Sequence, residues 1–248
     1  MYNILIASAI AAVAFGLGAL GGRWYYGVAP AMLVLPVAWM LLARRTGQAL
    51  EAHMKVVQES LMRQDIKSAR AELEKALPLG KWQILVTQQI YAQMGGLEFI
   101  QRNYKAARSL LEKGWKRNWQ AQGMLASIDA RDGNVDEGIE RLVKAKFLAK
   151  KEPLMWGLLT YFQLQAGRRD EALATVNDSL NAVPDSKALK DLKTAIANDR
   201  MKKYKWDKHF GEAWFQFFPE EAFRRATRAH KQQIIQSRRG ANIPQNRR

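Results

Sequence analysis

Two apolar runs open the chain, and each is long enough to form a membrane-spanning helix. Residues 1–22 and residues 24–43 contain no Asp, Glu, Lys, Arg or His. About 20 apolar residues, rising 1.5 Å per residue, cross a hydrocarbon core of about 30 Å. A single Arg23 separates the two runs. The pattern therefore predicts a two-helix transmembrane hairpin with its turn at residues 21–26.

Charges beside the apolar runs predict the orientation of the hairpin. Basic residues follow the second run, at Arg44, Arg45, Lys55 and Arg63. The positive-inside rule then places both ends of the hairpin in the cytoplasm, with Arg23 on the far side. Two alternatives stay open. If only one run spans, the rest of the chain lies outside for an inside N-terminus. A cleaved signal peptide would need a basic segment before the apolar core, and Met1-Tyr-Asn offers none.

Small residues recur every four positions in the first run, at Ala14, Gly18 and Gly22. Such a face lets helices approach closely in lipid. Beyond the membrane segment the helical period continues from Thr46, with Leu50, Met54, Val57 and Leu61 on one face. This period predicts a rigid stalk that leads directly into the following helices.

A heptapeptide repeats further along the chain. Gly133-Asn-Val-Asp-Glu-Gly138-Ile139 recurs 34 residues later as Gly167-Arg-Arg-Asp-Glu-Ala172-Leu173. Gly133 and Gly167 suit helix ends that need a positive φ, and small residues at Gly138 and Ala172 allow close helix approach. Weaker copies at residues 64–69 and 102–107 place Ala69 and Ala107 in the same role. One helical pair cannot bury its apolar stripe alone, so at least three stacked pairs are expected.

The second copy carries further spaced residues. Trp156-x2-Leu159 precedes it, Ala172-x3-Val176 follows, and Pro184 closes the unit. This spacing resembles the tetratricopeptide repeat, a helical pair of 34 residues. The resemblance implies a short α-solenoid, with the helix after Ser186 as its cap. An irregular helical bundle without true repeats is the alternative.

The resemblance also implies a concave groove, lined by the first helix of each pair, that accepts a peptide or helix from a partner. Gly123 and Gly157 fall at groove-facing positions. The groove lacks the Lys, Asn and Arg set with which some family members grip a C-terminal carboxylate, so that class of partner is not expected. The predicted partner-binding residues are Gln89, Phe99, Gln120, Ser127, Arg131, Tyr161 and Gln165.

Charge and chemistry narrow the function further. The chain has 39 Lys and Arg against 23 Asp and Glu, a net charge of +16, which favours anionic partners or an anionic membrane face. It has no cysteine, and its three histidines are far apart in the sequence. The phosphate-binding G-x4-G-K-[S/T] motif is absent. We therefore predict no enzymatic activity, no cofactor and no metal site.

The C-terminal tail combines aromatic and basic residues. Six aromatics lie within residues 206–218, and no acidic residue follows Glu221. The rings could pack on the repeats or a partner, insert at the membrane interface beside anionic headgroups, or stack on single-stranded nucleic acid, the least favoured option. Residues 240–248 are predicted to be disordered. The predicted contact residues are Trp206, Phe210, Trp214, Phe215, Arg224, Arg225 and Arg228.

Together these patterns predict an all-α chain in three segments: a transmembrane hairpin at 1–45, tetratricopeptide-like repeats with a capping helix at 46–200, and a basic helical or disordered tail at 201–248. The expected function is a membrane-anchored adaptor or scaffold that binds protein partners at the cytoplasmic face of the inner (plasma) membrane. One alternative is a structural subunit of a larger membrane assembly. The other is a nucleic-acid or anionic-lipid tether that acts through the basic tail.

Overall fold

The computed structural model describes residues 1–228 and residue 231. Every regular element among these residues is a helix, so the predicted all-α class is confirmed. The predicted disorder of 240–248 lies outside the described residues. The chain divides into two compact units, Met1–Glu98 with Lys105–Trp115, and Phe99–Tyr104 with the chain from Lys116 onward. These units cut across the three predicted segments.

The first unit begins with two long apolar helices. Helix α1 spans Tyr2–Ala19 and helix α2 spans Val28–Met62, with a 3-10 helix at Trp24–Gly27 in the turn between them. Both are long and apolar enough to cross a membrane, and only 17% and 6% of their most apolar windows are buried. This low burial distinguishes them from the core helices of a soluble protein.

Close packing at the top of the hairpin occurs between Gly18 of α1 and Gly27, the last residue of the 3-10 helix just before α2. A Cβ added to Gly18 would lie 2.7 Å from the Cα of Gly27, so the two backbones nearly touch there. The buried positions of α1 are Asn3, Ala7 and Ala11. Gly22 was predicted on this face, and that prediction is wrong: it lies in the turn with a φ of +93°, and a Cβ added there would meet nothing within 4 Å. It serves the turn rather than helix packing.

Helix α2 continues past the apolar region and joins a helical core. Helices α3 (Ile66–Ala76) and α4 (Val86–Ile100) pack against its second half. Helix α5 (Tyr104–Lys113) follows, and its Leu111 packs against Gly95 of α4. Leu61, predicted on the same face of α2 as Leu50, Met54 and Val57, is 40% exposed and does not join this core. The core of this unit contains Leu50, Met54, Val57, Leu73, Ile90 and Leu97.

The second unit is built from consecutive packed helices. These are α6 (Trp119–Arg131), α7 (Val135–Ala145), α8 (Pro153–Gln165), α9 (Arg169–Ala182) and α10 (Lys187–Ala197). Trp156 of α8 packs with Leu180 and Leu189, and Val176 of α9 packs with Leu192 and Ile196. Helix α10 thus buries one apolar face against α8 and α9. After it come α11 (Trp206–Phe210), a 3-10 helix at Glu212–Gln216 and α12 at 219–228.

One turn geometry recurs along the described part of the chain. Residues at the ends of five helices have a positive φ, between 53° and 91°: Gln64, Arg102, Gly133, Gly167 and Asp199. The backbone N–H of the residue after each glycine donates to a carbonyl five residues earlier in the chain. These hydrogen bonds are Asn134 N to Asp129 O and Arg168 N to Gln163 O, both at 2.8 Å. This is the Schellman motif, which satisfies carbonyls at a helix end. Asp65 N to Ser60 O, at 2.9 Å, repeats it after Gln64.

A buried small residue follows four of these turns at a constant distance of five positions. Ala69, Ala107 and Ala172 are fully buried, and a Cβ on Gly138 would lie 3.0 Å from the carbonyl oxygen of Ala126. The predicted roles of the paired glycines and small residues are therefore confirmed. The turn conformation recurs even where the glycine does not, because Gln64 and Arg102 also have a positive φ.

We expect Gly133→Ala to lower the free energy of unfolding by about 1 kcal/mol, because a Cβ is disfavoured by about that amount in the left-handed region. Gln64→Gly should raise stability by a similar amount for the same reason. Denaturant unfolding of the detergent-solubilised chain measures both. Gly47→Ala is the matched control, since Gly47 lies inside helix α2 with open space around it. Equal effects of Gly133→Ala and Gly47→Ala would contradict the turn assignment.

Candidate functional site

Five of the seven predicted partner-binding residues line one cavity of about 200 Å³ in the second unit. The cavity lies against the faces of α6 and α8. Gln120 and Gln89 are exposed and do not line it. The residues that it brings together are Phe99, Ser127, Arg131, Tyr161 and Gln165. Their partner-binding role remains a prediction.

Part of the lining of this cavity comes from the C-terminal tail of the same chain. Phe217 and Phe218 line it, and both belong to residues 206–218, which we call the aromatic segment. The segment packs on the faces of α6 and α8, where its rings join a core that contains Ala126, Leu158 and Phe162. The surface predicted to receive a partner is therefore covered by the chain's own tail.

Tyr161 is the centre of the ring contacts. Its ring meets those of Trp206, Trp214 and Phe218 edge-on, with centroids 5.3, 5.4 and 5.0 Å away. Such edge-to-face pairs add about 0.5–1.5 kcal/mol each beyond area burial. Burial, and then the charge of Glu221, raise the pKa of the Tyr161 hydroxyl. Tyr161 therefore stays neutral among the rings.

Within the segment, the rings also stack on one another. Trp214 stacks on Trp206 with centroids 4.8 Å apart and on Phe218 at 4.9 Å. Trp214 and Phe217 are each only 1% exposed. In this conformation Trp214 faces the helices and is not presented to a membrane or a partner. The predicted contact residues Trp206, Phe210 and Phe215 are half-buried.

Two glycines allow rings of the aromatic segment to pack directly on the helix backbone; we call these two positions the seats of the segment. Gly123 of α6 and Gly157 of α8 are 34 residues apart and so occupy equivalent repeat positions. A Cβ on Gly123 would lie 2.5 Å from a ring carbon of Phe217, and a Cβ on Gly157 would overlap the ring of Phe210. Glycine inside a helix costs roughly 0.5–1 kcal/mol relative to alanine. Here the absence of a Cβ at both positions leaves room for the rings of Phe217 and Phe210 to contact the helix backbone.

A polar clamp holds the chain just after the segment. The carboxylate of Glu220 accepts hydrogen bonds from the Tyr104 hydroxyl and the Arg131 guanidinium. The Arg131 guanidinium also lies 4.1 Å above the centre of the Tyr104 ring. Burial tends to raise the pKa of Glu220, but the hydrogen bond from Tyr104 and the charge of Arg131 outweigh it, so the pKa lies below its usual value. Burial and the bond to Glu220 raise the pKa of Tyr104 to about 12.

The clamp predicts a loss of stability at alkaline pH. The folded pKa of Tyr104, about 12, exceeds its ordinary value of 10.0, so its contribution is complete below pH 10 and is lost as pH rises towards 12. We expect Tyr104→Phe to show a shallower decline in unfolding free energy across this range than the unsubstituted chain. Denaturant melts at a series of pH values measure the difference. Identical pH profiles for the two proteins would contradict the clamp.

The three arginines among the predicted tail contacts, Arg224, Arg225 and Arg228, lie in two kinds of environment. Arg225 pairs with Asp207 at 3.2 Å and lies over the ring of Phe215 at 5.5 Å, so it closes the outer side of the segment. Arg224 and Arg228 are exposed on α12. Those two remain candidates for the predicted contact with anionic lipid or a partner.

The clamp and two of the packed rings were not predicted from the sequence. Phe217 and Phe218 were not singled out, although they belong to the same aromatic run. The 34-residue interval between Gly123 and Gly157 was a signal that could have indicated two equivalent seats. No sequence pattern connects Tyr104 with Glu220, which lie 116 residues apart.

Among the described residues, no group of His, Asp and Glu side chains is arranged to hold a metal ion. Comparison with protein-family models, with curated proteins and with solved structures finds no match to this chain. The resemblance to the tetratricopeptide repeat therefore depends on the 34-residue spacing and the recurring turn. It remains a prediction.

Proposed function

We propose that this chain is a membrane-anchored adaptor of tetratricopeptide-like architecture, which recruits a protein partner at the cytoplasmic face of the inner (plasma) membrane. The observation that carries the proposal is helix α2. It leaves an apolar hairpin whose side chains are mostly exposed and continues without a break into a packed helical core. Such a helix would hold the first unit rigidly at the membrane surface.

In the proposed adaptor, the aromatic segment closes the groove until a partner replaces it. Support comes from the seats at Gly123 and Gly157, which accept ring side chains at backbone level. A competing partner segment would need aromatic residues at matching positions. Because the aromatic segment is part of the same chain, its high effective concentration would keep the groove closed against weak competitors.

The second candidate is a structural subunit of a larger membrane assembly. The filled groove favours it, because a permanently packed segment leaves the outer helix faces as the contact surfaces. Nucleic-acid tethering through the basic tail predicts binding that falls steeply with salt concentration. Anionic-lipid tethering through Arg224 and Arg228 predicts binding that depends on membrane charge.

A pull-down of the tagged chain from mild-detergent extracts of its own membranes tests the proposal. Three proteins are compared: the unsubstituted chain, Trp214→Ala, which weakens the segment, and Gly157→Leu, which fills a groove seat. A groove partner should be retained more by Trp214→Ala and less by Gly157→Leu. A stoichiometric protein set retained equally by all three would instead indicate a structural subunit. Recovery of no protein partner would contradict both candidates.

Topology needs a separate measurement. Since the chain has no cysteine, single cysteines can be placed at Arg23 in the predicted turn and at Arg200 after α10. In intact cells, a membrane-impermeant maleimide should label the cysteine at position 23 and not the one at position 200. Labelling at position 200 would place the second unit outside and contradict the cytoplasmic adaptor.

A further inference from the structure

A cavity of about 270 Å³ lies at the base of the apolar hairpin, in the first unit. It lies beside Arg45, just past the point where the apolar run of α2 ends. Its walls combine one cation, two polar side chains and an apolar lining. The lining residues are Asn3, Leu42, Arg45, Thr46, Ala49, Leu79 and Trp82.

The polar side of this cavity is built rather than incidental. Asn3 is 2% exposed, and its side-chain amide donates to the Thr46 hydroxyl at 2.9 Å. The backbone amide of Asn3 donates to the carbonyl of Trp82 at 3.1 Å, and Tyr2 meets Trp82 edge-on at 5.3 Å. The turn at residues 82–85, which we call the Trp82 loop, connects a 3-10 helix (Leu77–Lys81) to α4. These contacts hold the start of α1, helix α2 and the Trp82 loop around one space.

Arg45 supplies the charge. Within the described part of the chain its guanidinium has no hydrogen-bond or ion-pair partner, and it is exposed at the cavity. Arginine presents a planar fork of donors that suits phosphate oxygens. None of the residues that line the cavity is acidic. The electrostatics therefore favour an anion that bears a phosphate.

An apolar groove continues from this cavity. It has a volume of about 490 Å³ and is lined only by aliphatic side chains of α1 and α2, from Leu33 to Leu42 and with Ile10 opposite. Leu42 lines both the groove and the cavity. The helix from Leu33 to Leu42 extends about 13 Å along its axis, a length suited to part of an acyl chain.

We propose that the cavity and the groove together bind one anionic phospholipid, with its phosphate at Arg45 and one acyl chain along α1 and α2. The inference rests on the proposed membrane anchoring, which puts Trp82 and Arg45 at the level of the headgroups, where tryptophan and arginine side chains are favourable. The lipid would brace the hairpin against the Trp82 loop. A free phosphate lacks the acyl chain and would not be retained.

Native mass spectrometry of the full chain in detergent tests the site. The probes are dioleoylphosphatidylglycerol and dioleoylphosphatidylcholine, which have the same acyl chains and different headgroup charge. We expect preferential binding of the first lipid, and a loss of about tenfold or more in its affinity for Arg45→Gln. Arg44→Gln is the matched control, since it removes the same charge one residue away and outside the cavity; its affinity should change less than about twofold.

A second pair of variants tests the apolar groove that would hold the acyl chain. Val37→Trp fills the groove and should weaken binding, whereas Leu35→Trp, two residues away and outside the lining, should not. Glycerol phosphate at millimolar concentration should not displace the lipid. Equal binding of both lipids, or equal losses for Arg44→Gln and Arg45→Gln, would overturn the proposal. Flotation with vesicles reports anchoring separately, so a chain that floats without lipid preference refutes the site and leaves the anchor standing.

Discussion

Replacing Trp214 by alanine is expected to lower the free energy of unfolding of the second unit by about 3–5 kcal/mol. That is the usual cost of truncating a fully buried tryptophan or phenylalanine. Trp214 is 1% exposed and contacts Trp206, Phe218 and Tyr161 at once. Its loss therefore leaves a cavity between the aromatic segment and helix α8. Denaturant unfolding followed by near-ultraviolet circular dichroism measures the effect.

Phe147→Ala is the matched control for this truncation. Phe147 belongs to the same unit but is 71% exposed, so its replacement should cost less than about 1 kcal/mol. If the two substitutions had similar effects, the aromatic segment would not be packed on the helices. The same result would remove the basis for a closed groove.

The second large effect is expected from Gly157→Leu. A side chain at this position overlaps the ring of Phe210, and overpacking of this kind costs roughly 1–3 kcal/mol. The strain can be relieved if α11 leaves its seat. Lys205 and Lys208 are exposed beside that seat, so limited trypsin digestion should cleave there about tenfold faster, which corresponds to about 1.4 kcal/mol of local opening.

Gly47→Leu provides the control for this substitution. Gly47 is also inside a helix, but a Cβ there meets nothing within 4 Å. Its replacement should leave the cleavage rate at Lys205 and Lys208 unchanged. Acceleration by both variants would indicate general destabilisation rather than loss of the Phe210 seat.

Local patterns predicted much of the helical structure. The glycine turns at 133 and 167 and the small residues five positions later depend on neighbouring residues only, so the sequence displays them directly. The same turn at Gln64 and Arg102 has no glycine, although both residues have a positive φ. These two turns could therefore be predicted only from the small residues Ala69 and Ala107 that follow them, which is a weaker pattern than a glycine with a small residue.

The candidate site was predicted only in part, for a physical reason. The resemblance to the tetratricopeptide repeat, with its 34-residue period, implied groove-facing positions for Ser127 and Arg131 on α6 and for Tyr161 on α8. Periodicity carries no information about which distant segment covers that face. The composition of residues 206–218 showed that the rings needed burial, yet membrane, partner and repeat surfaces could each provide it. Only the three-dimensional arrangement distinguishes among them, through contacts such as that of Glu220 with Tyr104.

A chain that closes its own groove while it is held at the membrane should keep Arg131 and Glu220 together there. Because the chain lacks cysteine, Arg131→Cys with Glu220→Cys gives one reactive pair at positions whose side chains touch. A short bismaleimide added to native membranes should link this pair within the chain. Gln120→Cys with Glu220→Cys is the control, since Gln120 lies 11 residues, or about 16 Å, along α6 from Arg131. Rapid linkage of the first pair alone is predicted; equal linkage of both pairs, or of neither, would contradict the closed groove.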